Sequence, residues 1–374
     1  MKVVVVGLGK VGGPLAMYLQ VLGHDVIGFD VNANQVQMLH REVRSTLDPH
    51  EAYSSADAAV LIVPTPEDGD RLSSKYVREA GEEARALLPK GAPILIASTL
   101  DPRDANEVCG SIDAIYTPVF IRLGSVFEDL QNQKYLLVGA FDKARVADAV
   151  RVWKWHSNHR TGMLWHADPC TVACAKMAIN ASLSSRIAWA NDISERAKAF
   201  GADPSLVLQM VAEDPRIGGG YLKAGYPPGG PCLPRDLDVW TSVQGNGIAE
   251  AVLIGHRAAR NRVIAKILED LAAKPVRSIL VVGLTYKEGG LDWTNALGME
   301  ILKELKGTEY KVYAYDREGT HASMVEKFGA TKVEANAPFN SFDAIIVGFL
   351  GYPEEMAKQA KDNSRGLLVI NPWK

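Results

Sequence analysis

The feature that most constrains this chain is a short apolar strand that runs directly into a glycine pattern. Lys2–Val6 holds four consecutive valines and passes without a break into Gly7-Leu8-Gly9-Lys10-Val11-Gly12. A β-branched run of this kind marks a strand buried on both faces of a parallel sheet. The residues from Val11 to Leu22 read as a helix that stops at Gly23, and a second strand, Asp25–Phe29, ends in Asp30, 18 residues past Gly12. Strand, GxGxxG, helix, strand and acid together form a dinucleotide-binding fingerprint, where any one of them alone is weak. The glycines bring backbone N–H groups and a helix N-terminus close to a pyrophosphate. Gly7, Gly9, Lys10, Val11 and Gly12 are therefore candidate cofactor contacts. Asp30 would accept hydrogen bonds from a ribose and repel a 2′-phosphate, which favours NAD over NADP. The alternative for the segment is a tight strand–helix turn with no ligand.

The pattern continues with strands at Ala59–Val63, Ile94–Ser98, Ala114–Thr117 and Tyr135–Val138, with helical stretches at Ser73–Leu88 and Lys143–Trp155. This alternation predicts a doubly wound parallel sheet. Ligands of open sheets bind beyond the carboxyl ends of strands, so Pro64, Thr65, Ser98 and Thr99 are candidate cofactor neighbours, or else simple turn and cap residues. At 374 residues the chain has room for two or three domains. A net charge of −3 without a basic block argues against nucleic acid as a partner. No apolar run approaches the roughly 18 residues that span a bilayer, and MKVVVVGLGK is unlike a signal peptide. Four cysteines without a secretory signal predict reduced thiols in the cytoplasm.

Past the first sheet, His156, His159, His166, Cys170 and Cys174 fit no zinc spacing, and no metal is expected. Asp168-Pro169 reads as a helix start, with a helix running toward Phe200, and Asp203-Pro204 repeats that signal for a helix up to Glu213. On the first of these helices Lys176 and Asn180 are four apart and share a face. They are either a solvated pair or two groups that polarise one oxygen. The stretch from Asp214 to Asp236, DPRIGGGYLKAGYPPGGPCLPRD, holds six glycines and five prolines in 23 residues and reads as a loop. Its single cysteine, Cys232, is either a small apolar filler or a nucleophile on a glycine-lined loop. A long helix, Ile248–Ala273, follows. The last hundred residues then restart an α/β pattern with strands at Ser278–Val282, Lys311–Tyr315, Ala344–Phe349 and Leu367–Ile370. After its first strand comes Gly283-Leu284-Thr285-Tyr286-Lys287 instead of GxGxxG, which points to a different ligand with a phosphate for Lys287. The expected fold is α/β: two doubly wound, Rossmann-like parallel-sheet domains (1–167 and 274–374) joined by a central helical domain (168–273) with a long connecting helix.

Taken together, GLGKVGGP, VPTP, STLDP, the Lys176 and Asn180 pair, GGPCLPRD and GLTYKEGGLD occur in the order seen in the UDP-glucose/GDP-mannose dehydrogenases. The chain resembles that family nearly end to end, and its RIG…GG-C loop most resembles the UDP-glucose 6-dehydrogenases. The resemblance implies NAD-dependent oxidation of a sugar-nucleotide primary alcohol to a carboxylate in two hydride steps. It implies Cys232 as the nucleophile that forms a thiohemiacetal and then a thioester, and Lys176 and Asn180 as the pair at the reacting oxygen. Asp236 would assist proton transfer or water activation, and Thr99 would stand at both cofactor and reaction centre. Lys223, Tyr221, Gly229 and Lys287 match substrate contacts, and Arg257 and Arg260 would reach a neighbouring site in a homodimer formed through the central helices. Two positions depart from the pattern. Val119 stands where the family has a glutamate that serves as base or water organiser, and Thr294 where it has an arginine. Two readings therefore stand beside full oxidation to the uronic acid. One is a divergent member with another nucleotide sugar or an incomplete oxidation, and the other is a non-catalytic sugar-nucleotide or NAD binding protein. The β-hydroxyacid dehydrogenases share the NAD fold and the Lys-x-x-x-Asn helix but lack the second α/β domain and the GGPC loop.

Overall fold

The structure is a computed structural model, which describes residues 1–155, 162–243, 245, 247–286, 292–316, 322–334, 341–348 and 367–372. It divides into two compact units, Met1–Ala178 and Ile179–Lys374.

The strands of the first unit are β1 (Lys2–Val6), β2 (Asp25–Phe29), β3 (Ser45–Thr46), β4 (Ala58–Leu61), a small hairpin of β5 (Glu67–Asp68) and β6 (Arg71–Leu72), β7 (Ile94–Ile96), β8 (Ala114–Tyr116), β9 (Tyr135–Gly139) and β10 (Met163–Ala167). Apart from the hairpin they form one sheet in the order β10-β9-β8-β7-β4-β1-β2-β3. All its pairings are parallel except β8 with β9. From β3 to β8 this is the strand order of a dinucleotide-binding sheet, with the direction of winding reversing between β1 and β4. Strand β1 lies at that reversal because its valines suit burial on both sides. Val3 and Val5 enter one apolar cluster, and Val4 and Val6 another. Each such side chain contributes on the order of 1.5–3 kcal/mol when fully buried.

Several elements here went unread in the sequence, among them a helix and a 3₁₀ turn. Pro102–Ser111 is a helix capped by the Asp101 side chain, which accepts from the Arg103 N–H, with Pro102 at its start. The stretch read as a helix over Lys143–Trp155 opens as a 3₁₀ turn, Lys143–Arg145, before the α-helix Val146–Trp153.

A single helix, Pro169–Ala199, leads on from the first sheet, and the division between the units falls within it. The second unit contains the helices Pro204–Glu213, Leu233–Thr241 and Ile248–Ala272. Its sheet comprises β11 (Ser278–Val282), β12 (Lys311–Tyr315), β13 (Thr331–Lys332), β14 (Ala344–Val347) and β15 (Leu368–Ile370), in the order β13-β12-β11-β14-β15 with every pairing parallel. Strand β11 is again the two-sided one, with Ile279 and Val281 in one cluster and Leu280 and Val282 in another. The fold is thus α/β with two parallel sheets and a helical stretch between them in the chain. No helix among the described residues is long and apolar enough to cross a membrane.

The glycine-rich loop is shorter than its composition implies. A helix begins at Leu233, so Cys232 is its N-cap residue and Asp236 lies in its first turn. Pro234 is the reason that the sequence hides this helix. Proline breaks a helix interior, but in the first turn its missing N–H has no partner to lose.

Candidate active site

In the first unit the fingerprint closes as a cradle. Gly7 follows β1 with φ +91°, a left-handed conformation that favours glycine, and a Cβ there would lie 2.6 Å from the Ile62 carbonyl oxygen. A Cβ on Gly12 would lie 1.8 Å from the Gly7 carbonyl oxygen, so the helix can start only on a glycine at this point. Gly9 differs from both, because a Cβ there would meet no protein atom within 4 Å. Its missing side chain leaves room for a ligand and not for the fold. Asp30 accepts from the Leu8 N–H at 2.6 Å through one oxygen and from the Asn32 N–H at 2.8 Å through the other, which fixes it at the end of β2. Lys10 is exposed, Val11 and Thr99 are half-buried, and Thr65 and Ser98 are buried, with Ser98 Oγ donating to the Val63 carbonyl at 2.8 Å. Pro64 is exposed on the turn after β4. All of these residues stand at the carboxyl ends of β1, β2, β4 and β7, where the winding reverses. The cradle fits NAD.

Lys176 is also placed by this unit. Its ammonium, 8% exposed, donates to the Val119 carbonyl at 2.9 Å and lies 4.6 Å from the centre of the Phe120 ring. A ring face attracts a cation, and the bond to a main-chain oxygen does not depend on the side chain at 119. Val119 thus offers no carboxylate at this position and holds the lysine through its backbone.

The second unit contains the remaining reactive groups. Asn180 Nδ2 donates to Asp236 Oδ2 at 2.6 Å. The other oxygen of Asp236 accepts from Arg235 Nε and Nη2 at 2.9 and 2.7 Å. Asp236 is fully buried, so its charge is viable only because both oxygens are satisfied. The carboxylate orients Asn180 and Arg235. Cys232 is exposed, one helical turn before it, at the N-terminus of the Leu233–Thr241 helix. The partial positive charge of a helix N-terminus favours a thiolate there.

The loop before Cys232 is tied down along its length. Arg186 donates to the carbonyls of Ile217, Gly218 and Gly220 at 3.0, 2.5 and 2.5 Å, and Asn191 Oδ1 accepts from the Gly225 N–H at 2.7 Å. Gly229 and Gly230 lie against Tyr286. A Cβ on Gly229 would be 2.7 Å from Tyr286 Cβ, and one on Gly230 would be 2.8 Å from the ring carbon that bears the hydroxyl. Gly230 has φ +82°, and its N–H donates to the Thr294 carbonyl at 2.7 Å. Thr294 is thus tied to the loop through its main chain. Tyr221 is exposed with φ +60°, and Lys223 and Arg257 are exposed. Arg260 is ion-paired to buried Glu300, which Lys303 also contacts. Lys287 lies outside the described residues. Of the histidines weighed for a metal, His156 and His159 also lie outside them, whereas the His166 ring bonds to the Ala140 carbonyl at 3.0 Å.

Sequence reasoning missed Arg235, Phe120, Arg186 and Tyr286. The RD pair offered a signal for Arg235, but the other three depend on contacts between distant segments. Also unread was a likeness between the two sheets. Gly283 follows β11 with φ +87°, as Gly7 follows β1. Asp316 after β12 accepts from the Leu284 and Thr285 N–H groups at 2.5 and 3.0 Å, as Asp30 accepts from Leu8. Gly298 at the start of the next helix meets the Gly283 carbonyl as Gly12 meets that of Gly7. Fourteen residues separate Gly283 from Gly298, so no GxGxxG is visible.

Two stretches of the chain match known families. Residues 2–117 match the NAD binding domain of 6-phosphogluconate dehydrogenase, and residues 171–261 match the UDP-glucose/GDP-mannose dehydrogenase family, central domain. The chain is 26% identical over 353 residues to a UDP-glucose 6-dehydrogenase of Rickettsia bellii, covering 84% of this chain and 80% of that one. It is 24% identical over 428 aligned positions to a GDP-mannose 6-dehydrogenase of Pseudomonas syringae, covering 99% and 95%. The structure of a UDP-glucose dehydrogenase from the archaeon Pyrobaculum islandicum matches its fold with a TM-score of 0.84 at 24% identity, over 100% of this chain and 94% of that one. The NAD cradle thus lies in the stretch that matches an NAD binding domain, and Lys176, Asn180, Cys232 and Asp236 lie in the stretch that matches the central domain of the UDP-glucose/GDP-mannose dehydrogenase family.

Proposed function

We propose that the protein is an NAD-dependent sugar-nucleotide 6-dehydrogenase that oxidises a C6 primary alcohol to the uronic acid, with UDP-glucose as the leading substrate. The observation that carries this reading is Cys232, exposed at a helix N-terminus one turn before the buried Asn180–Asp236–Arg235 network. The Gly7–Gly12 cradle and Asp30 hold NAD, which when bound accepts the hydrides. The chain's own residues then have these roles. Lys176 complements the negative charge that develops on the substrate oxygen, and the Asn180 amide, aimed by Asp236, donates a hydrogen bond without competing for the proton. The Cys232 thiolate adds to the aldehyde carbon and forms a C–S bond. After loss of a second hydride the product is a thioester, and water adding to it breaks the C–S bond, releasing acid and thiolate. In this reading residues 1–167, 168–273 and 274–374 serve as NAD-binding, central and sugar-nucleotide-binding domains. Exposed Ile248 and Ile254 on the long helix suit a second copy of the chain, and a reducing cytoplasm keeps Cys232 a thiol.

A panel of UDP- and GDP-sugars with NAD, scored by NADH formed per substrate and product mass, tests this. The expected result is two NADH and an acid. Incomplete oxidation is the second reading, favoured by Val119 and by an Asp236 with both oxygens already engaged. One NADH with an aldehyde, or a thioester that accumulates on Cys232, would establish it in place of the first. Ligand-induced thermal stabilisation with no NADH from any sugar nucleotide would leave only a binding protein.

Asp30 gives a prediction independent of the substrate. Asp30→Ser should weaken NAD binding by about 10- to 100-fold, as expected for losing a charged hydrogen-bond acceptor, and should narrow the preference over NADP. Titration of each cofactor, followed by protein fluorescence, would show it. Unchanged affinity would remove Asp30 from the ribose site.

A further inference from the structure

Two of the loop glycines, Gly229 and Gly230, are shaped around a polar aromatic residue, Tyr286. Gly229 and Gly230 both lack the Cβ that would strike it, and the contact on Gly230 falls at the hydroxyl end of the ring. One main-chain bond joins the two segments, and two further bonds fold the second segment on itself. Gly230 N–H donates to the Thr294 carbonyl at 2.7 Å, Tyr286 N–H to the Asp292 carbonyl at 3.1 Å, and Thr294 N–H to Asp292 Oδ1 at 2.9 Å. The phenol is consequently fixed in relation to a loop whose cysteine follows two residues later. Its acidity responds to its surroundings. Burial, then Cys232, Asp292 and Tyr221, push the phenol up to about 12, so it keeps its proton at neutral pH.

We propose that Tyr286 is a positioning residue for Cys232: held by Gly229 and Gly230, its un-ionised O–H is the donor that stabilises the cysteine thiolate. This rests on the reading of Cys232 as the nucleophile and adds to it a reason for Gly-Gly in the loop. A hydrogen bond from a neutral donor favours the charged form of the sulfur, and the helix N-terminus that Cys232 caps acts in the same direction. No proton is transferred in this role. The phenol retains its hydrogen while the thiolate adds to the aldehyde carbon, and again when the C–S bond of the thioester breaks and the electron pair returns to sulfur. Asp292 and Tyr221 act on the same phenol, Asp292 through its charge and Tyr221 as a second phenol on the loop itself.

The test is the pH dependence of iodoacetamide alkylation of the full-length protein, read by mass spectrometry on the peptide that contains Cys232. Tyr286→Phe should raise the midpoint by about one pH unit, the size expected for losing one hydrogen bond to a charged group. A purely structural ring would leave it in place, because phenylalanine keeps the packing against Gly229 and Gly230. Should the variant not fold, wild-type protein made with 3-fluorotyrosine provides a second measurement. A stronger donor of nearly the same shape should lower the midpoint. An unmoved midpoint in either protein, or a shift of opposite sign, overturns the proposal. Alkylation needs neither NAD nor sugar nucleotide, so its outcome is separate from that of the dehydrogenase assay. A shifted midpoint with no NADH would reject the function and keep the Tyr286–Cys232 pairing, and the reverse result would do the opposite.

Discussion

Replacing Cys232 by serine is expected to lower acid production by at least about 10³-fold while leaving NAD affinity unchanged. The sulfur is the only protein atom in the proposed reaction that must form and break a covalent bond to the substrate, and a serine hydroxyl ionises far too weakly to substitute for a thiolate. The first hydride step does not use the sulfur. The variant should therefore yield at most one NADH per substrate, with the aldehyde or its hydrate as product. Cys232 is exposed, and its helix begins with backbone bonds such as Asp236 N–H to the Cys232 carbonyl at 2.9 Å, so removing its side chain should cost little stability. Product mass and NADH stoichiometry measured together are decisive. If Cys232→Ser still makes acid at the wild-type rate, covalent catalysis is excluded for this chain.

The second large effect is expected at Asp236. Its carboxylate is fully buried and joins Asn180 to an Arg235 whose side chain is 18% exposed. Asp236→Ala removes the partner of a mostly buried guanidinium and leaves the Asn180 amide without its acceptor. Breaking a buried ion pair from one side typically costs about 3–5 kcal/mol, the larger part being the stranded charge. The unfolding transition of the second unit should move to markedly lower denaturant, and activity should fall with it. Asp236→Asn separates two roles. Its carbonyl oxygen still accepts from Asn180, but the charge opposite Arg235 is gone. If the carboxylate only orients its neighbours, stability and activity should fall together. Loss of activity at near wild-type stability would instead mean that Asp236 moves a proton in the reaction.

The pair at 176 and 180 shows how far spacing alone could lead. A four-residue interval on a helix puts Lys176 and Asn180 on one face, and the Asp168-Pro169 start made that helix legible. What each side chain does there was not legible. Lys176 is set by the Val119 carbonyl and the Phe120 ring, more than fifty positions earlier, and Asn180 by Asp236, 56 positions later. The departure at Val119 is an instance of the same limit. The sequence reports a missing carboxylate, and only the fold shows that the main-chain oxygen at that position still holds the lysine. Likewise the second sheet repeats the arrangement of Gly7, Gly12 and Asp30 in Gly283, Gly298 and Asp316, but with the glycines too far apart in sequence to form a motif.

Local patterns determined the elements and the cofactor cradle. Strand β1, its glycine turn and Asp30 lie within about thirty residues, and backbone geometry alone requires glycine at positions 7 and 12. The reactive part of the molecule was decided by tertiary structure. Cys232 was visible as one cysteine among glycines and prolines, but its place at a helix start was masked by Pro234, whose meaning depends on which turn it occupies. Tyr286 packs on the two glycines that precede the cysteine, and Asn180 and Asp236 pair one turn further on, contacts that arise only by packing of the second unit. Burial and pairing of charge depend on every segment that packs around a group, and a sequence read along one chain segment does not contain them.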